Sequence, residues 1–135
     1  MKLSLHLLSA AIGAAAIFAF SGSLPAALLF FASAGLIDAD HALDYFLIYK
    51  KIDFAKMLMG HFYKSKIYVL LHSFEIPILA LVLWPGVFSL AFAAGYLMHL
   101  CLDLAEYRFK SPFLTYFFAY RLLVGFEKNR LCASS

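Results

Sequence analysis

Apolar residues along this chain fall in long, nearly unbroken runs, not in the alternating or one-faced patterns of soluble strands and helices. Four runs approach or exceed the roughly 20 residues that a helix needs to cross a bilayer. They cover residues 3–20, 24–49, 67–84 and 86–105. Leu24-Pro25 opens the second run, where proline suits a first helical turn. Trp84-Pro85-Gly86 separates the third from the fourth. A fifth run, 112–126, is shorter and carries Tyr116, Tyr120 and Arg121. That make-up fits a helix lying in the headgroup layer. The pattern predicts an all-α, polytopic membrane protein: four transmembrane helices and a C-terminal interfacial helix in a single domain, residues 1–135.

Composition agrees with the pattern. Apolar residues make up 64% of the chain and charged residues 14%, with a mean hydropathy of +0.86. A soluble domain has about 45–50% and about 25%. A soluble domain, a disordered tail and a nucleic-acid-binding module are thereby excluded. Cys101 and Cys132 are too few for a disulfide scaffold. The 8 tyrosines and 15 phenylalanines suit lipid-facing and interfacial positions.

Charge orients the helices. Lys2 precedes the first run. Lys50, Lys51, Lys56, Lys64 and Lys66 lie between the second and third, and Arg108, Lys110, Arg121, Lys128 and Arg130 follow the fourth. The other two connections have none. All 11 basic residues fall on one side of a four-crossing layout. Basic loops stay in the cytoplasm, so both termini are expected there. A rival reading takes the first run as a signal peptide cleaved near Ala19-Phe20-Ser21. It would leave three crossings and break this asymmetry.

Polar groups inside the apolar runs change the picture further. A charged side chain at the centre of a membrane helix costs about 2.5–3.5 kcal/mol on insertion scales. Five of the 8 acidic residues nonetheless lie within the runs: Asp38, Asp40, Asp44, Glu75 and Asp103. His6, His41, His72 and His99 accompany them, whereas His61 lies in a loop. On one continuous helix Asp40, His41 and Asp44 share an arc of about 100°, with Asp38 about 60° further round. His99 and Asp103 are one turn apart on one face, where both can reach a single ion. His72 and Glu75 are spaced i and i+3. Four segments thus bring ionisable groups to one level, towards the cytoplasmic end. A divalent cation would relieve the crowding of Asp38, Asp40 and His41. Cys101 points away from His99 and Asp103.

The segments that carry these residues resemble the small bacterial inner-membrane proteins described as membrane-bound metal-dependent hydrolases, the YdjM-like type. The early histidine matches His6. The family's Leu-Pro-Asp-Ile-Asp-His segment matches Leu36 to His41, its Thr-His-Ser segment matches Leu71-His72-Ser73, and its Gly-Tyr-Leu-x-His-x-x-x-Asp segment matches Gly95 to Asp103. The family's His-Arg-Gly is replaced by Ile67-Tyr68-Val69, and its proline by Ile37. The ligand pattern is distantly similar to zinc-dependent phospholipase C and P1-type nucleases.

The resemblance and the residues together lead to one expectation. His6, Asp38, Asp40, His41, His72, His99 and Asp103 hold one or two divalent ions, zinc by ligand type. Asp44 or Glu75 serves as general base. The substrate is a phosphoester, lipid-borne or soluble, met at the cytoplasmic leaflet, and membrane lipids are the surroundings. Two alternatives stay open: an ion, proton or metal transporter, and a metal-stabilised protein without turnover.

Overall fold

In the computed structural model, which describes residues 3–51, 53, 66–107 and 113–131, every regular element is helical. Helix α1 spans Leu3–Ser21. It ends where Gly22, at φ +64°, donates its N–H to the carbonyl of Phe18. Only glycine enters that left-handed region without cost. Ser23 then caps α2, Leu24–Gly35, by accepting the N–H of Ala26, and Pro25 sits in the first turn.

The second predicted crossing is not one helix. Helix α2 stops at Gly35, a 3₁₀ turn occupies Ile37–Ala39, and α3 runs over Asp40–Tyr49. The two halves are bent by 44°. Glycine and aspartate are both poor inside a helix, and here they fall together. The single wheel expected over 24–49 therefore does not apply to Asp38.

The third crossing needs a larger correction. Only Glu75–Leu83, helix α4, is helical within 67–84. Nine residues rise about 13 Å, under half of a bilayer's hydrocarbon core. Pro77 explains the late start. A proline ring clashes with the carbonyl four residues back, so it is accommodated only in a first turn. Residues 66–74 form an irregular segment, with one antiparallel bridge from Lys66 to Glu127.

Helix α5, Val87–Tyr107, follows the Trp84-Pro85-Gly86 turn as expected and rises about 31 Å over its 21 residues. The expected interfacial helix over 112–126 is broken into a 3₁₀ turn, Phe113–Tyr116, and helix α6, Phe118–Leu123, with Phe117 extended between them. Pro112 lies outside the described residues, as do Lys2, Lys56, His61, Lys64, Arg108, Lys110 and Cys132. A last short helix, α7, covers Lys128–Leu131.

Helix α2 lies between α1 and α5 and packs most extensively on both. Ala10, Ala26, Phe30, Ala34 and Ala91 form that core, and small residues let the backbones approach closely. At Gly95 the close approach is to backbone as well as side chain. A Cβ there would collide with the Phe30 carbonyl and the Ser33 hydroxyl. Outward-facing positions are strongly apolar, among them Leu8, Ile12, Leu28, Val82, Leu83 and Leu90. Among the described residues, Val87–Ala105 is long and apolar enough to cross a membrane, and the bent pair Leu24–Gly35 with Ile37–Tyr49 makes a second. By this measure there are one or two such helices, not four.

Candidate metal centre

Gly95 sets the geometry of the site. Its contact with Phe30 and Ser33 holds α5 against α2. One turn further along both helices, His99 Nδ1 lies 2.8 Å from the carbonyl of Ala34. A carbonyl only accepts, so Nδ1 carries the proton. In the neutral ring Nε2 is then a free lone pair.

His72 is prepared in the same way from the irregular segment. Its Nδ1 lies 3.1 Å from Asp40 Oδ2, which also accepts the N–H of Leu71 at 2.8 Å. The His72 Nδ1–H therefore points at a carboxylate, the arrangement that fixes ring and tautomer in metal-binding histidines. Its Nε2 faces the opposite way, towards His99.

Four acceptor atoms converge there. His72 Nε2 lies 3.3 Å from Asp103 Oδ2, 3.4 Å from Asp38 Oδ1 and 3.4 Å from His99 Nε2. His99 Nε2 lies 3.4 Å from Asp103 Oδ2 and 3.5 Å from Asp38 Oδ1. Asp38, His72, His99 and Asp103 form one group with their ligand atoms within 4.8 Å of one another. A regular tetrahedron with an edge of about 3.4 Å has its centre about 2.1 Å from each corner, the length of a Zn–N or Zn–O bond. The donor set fits as well: with both rings neutral, two imidazole lone pairs and two carboxylate oxygens supply no donor to one another, and one cation among them answers all four. The cluster can hold a metal ion.

The remaining expected ligands surround this group. His6 Nε2 lies 3.2 Å from Asp103 Oδ1, the oxygen turned away from the four, and the His6 ring stacks on His99 at 4.2 Å. His41 Nε2 lies 3.5 Å from Asp38 Oδ1 on the more exposed side. Asp40, His41 and His72 form a second group, but His72 Nδ1 and Asp40 Oδ2 already face each other within it. Cys101 is exposed and lies outside both groups.

Asp44 and Glu75 are placed differently from the general bases expected of them. Asp44 is buried and accepts the N–H groups of Tyr68 and Val69 at 3.0–3.1 Å with both oxygens. It anchors the irregular segment. Glu75 accepts the Ser73 hydroxyl on one oxygen and the Ala119 N–H on the other, at 3.0 Å for the latter. It ties that segment to α6. Neither carboxylate has an oxygen turned to the four-atom cluster.

Two contributors were not expected. Tyr96 donates its hydroxyl to the Leu71 carbonyl, holding the backbone beside His72; its place one residue after Gly95 was the available signal. Arg121 is fully buried within the protein. A lone cation in the middle of an otherwise apolar run was the sign. Comparison with protein families, with curated proteins and with solved structures finds no match to this chain.

Proposed function

We propose that this chain is a membrane-embedded, metal-dependent hydrolase that acts on a phosphoester at the cytoplasmic leaflet of the inner membrane. The observation that carries the metal is the convergence of His72 Nε2, His99 Nε2, Asp38 Oδ1 and Asp103 Oδ2, with each imidazole nitrogen 3.3–3.5 Å from the other three atoms. Apolar surface on the helices supports the membrane setting. The four-segment resemblance supports hydrolysis.

A divalent ion held there would polarise a phosphoryl oxygen and lower the pKa of water beside it to about 7. The protein's part is unequal around the cluster. His72, His99 and Asp103 are buried, whereas the Asp38 side chain is 22% exposed and sits on the 3₁₀ turn between α2 and α3. Asp38 would thus be the donor nearest an entering substrate. His6 holds Asp103 by its second oxygen, Asp40 holds His72 and the Ala34 carbonyl holds His99, so these three donors are oriented by the protein itself.

Four crossings are the proposed layout, resting on the charge distribution, with the third made of segment 66–74 and the half-helix α4. Irregular backbone is tolerated at membrane depth where protein satisfies it. Here Asp44 and Asp40 accept the N–H groups of Tyr68, Val69 and Leu71.

One observation favours a second reading, a metal-stabilised protein without turnover. Four protein donors complete a tetrahedron unaided, as in closed structural sites. Detergent-purified protein separates the two. We expect a stoichiometric divalent metal in the wild type, lost in His99→Ala, and phosphoester cleavage abolished by chelator. Metal without cleavage above the His99→Ala control selects the second reading; absence of metal overturns both.

A further inference from the structure

Buried side-chain nitrogens and oxygens without a hydrogen-bond partner are, among the described residues, His6 Nδ1, Asp40 Oδ1, and Nε, Nη1 and Nη2 of Arg121. Arg121 has no exposed surface and rises from α6. Its guanidinium stays charged and carries five N–H donors, so burying it without an acceptor is heavily penalised. Burial pushes its pKa below the usual value. The charges that oppose this are, in order of effect, those of Asp40, Glu75 and Asp44.

Elimination among those three is direct. Glu75 has one oxygen on Ser73 and the other on Ala119. Asp44 has both on the backbone of Tyr68 and Val69. Asp40 uses only Oδ2, for Leu71 and His72, and its Oδ1 is the unpartnered acceptor. An external anion is a poor occupant, since three carboxylates already act on Arg121 and its side chain is closed to solvent.

We infer that Arg121 and Asp40 are a buried charge pair joined through buried water, and that Arg121 is thereby a positioning residue for His72. With Oδ1 linked through water to Arg121 and Oδ2 on the His72 Nδ1–H, Asp40 is held at both ends, and the His72 Nε2 lone pair is aimed at the cluster. Helix α6, far along the chain from every proposed ligand, becomes part of the metal centre's support. Its effect on metal affinity rests on the metal reading above; the pair itself does not.

The test uses the full-length protein in detergent with three substitutions: Arg121→Met, Arg121→Lys and Asp40→Asn. Zinc affinity is read by competition with a chelator, and thermal unfolding is read on metal-free protein. Loss of an outer partner of a ligating histidine weakens metal binding by about 10–100-fold, and we expect that of Arg121→Met. Arg121→Lys should recover most of the affinity. Arg121→Met combined with Asp40→Asn should bind no more weakly than Asp40→Asn alone, and the two changes should be non-additive in unfolding. Wild-type affinity in Arg121→Met, or additive effects in both measurements, overturns the inference. If Arg121→Met does not fold, the cycle between Arg121→Lys and Asp40→Asn decides by the same criterion. A wild type that binds no zinc would sink the metal reading, while the unfolding cycle still decides the pair.

Discussion

His72 reaches the cluster from a segment with no regular structure, and the residues that make this feasible are carboxylates used as backbone acceptors. Val69 sits at φ +30°, a conformation that a β-branched residue adopts only when its surroundings enforce it. Asp44 enforces it, with both oxygens on the Val69 N–H and one also on that of Tyr68. The Val69 carbonyl in turn accepts the N–H of His72 at 3.1 Å. Asp44 thus acts on the site through the chain, and this separates it from a general base. Asp44→Ala leaves two buried N–H groups unpaired, at about 1–3 kcal/mol each. We expect it to lower the unfolding temperature and the metal content together. Asp103→Ala should remove metal with a smaller effect on the metal-free protein. A base would behave in the opposite way: Asp44→Ala would keep metal and stability and lose only turnover. Metal analysis and thermal unfolding of the two variants side by side distinguish these outcomes.

Helices α1, α2 and α5 carry the features that the amino-acid pattern made legible. Their limits follow from Gly22, the Ser23-Leu24-Pro25 start and the Trp84-Pro85-Gly86 turn. His99 and Asp103, one turn apart, point to one place as their spacing required. Segment 67–84 was misread because hydropathy ignores backbone hydrogen bonding. Pro77 marked the helix start, but which groups would receive the freed N–H groups depends on Asp40 and Asp44, some 24 to 31 residues away. The role of Arg121 was hidden for the same reason, since burial of a long-range partner leaves no local periodicity. Gly95 is the residue where element packing and site chemistry meet. Gly95→Ala drives a methyl group into the Phe30 carbonyl and the Ser33 hydroxyl, and overpacking of this kind costs about 1–3 kcal/mol. Because His99 meets Ala34 one turn on, separating α2 from α5 should also turn the imidazole away. We expect Gly95→Ala to fold with a lowered unfolding temperature and at least tenfold weaker zinc binding. Unchanged affinity would show that the α2–α5 contact does not set the His99 position.

The whole molecule must reconcile a half-helix with an asymmetric charge distribution. If segment 66–86 crosses the bilayer, then α5 returns the chain to the side on which it began, and all 11 basic residues share one compartment. If instead 66–86 dips in and comes back, α5 delivers Arg108, Lys110, Lys128 and Arg130 to the opposite side from Lys50, Lys51, Lys56 and Lys64. That second arrangement splits the basic residues between compartments, against the retention of short basic loops in the cytoplasm. Length alone favours neither. Helix α4 rises about 13 Å, and segment 66–74 before it folds into a turn, with the His72 N–H on the Val69 carbonyl. Charge is therefore the reason to expect a crossing. Dual reporter fusions, one enzyme active in the cytoplasm and one outside it, test this at three positions. A fusion at residue 58 should report the cytoplasm, one at residue 86 the outside, and one at residue 135 the cytoplasm again. Identical reports at residues 58 and 86 would make the third segment re-entrant. In either arrangement the 3.3 Å between His72 Nε2 and Asp103 Oδ2 keeps the irregular segment beside the last turns of α5.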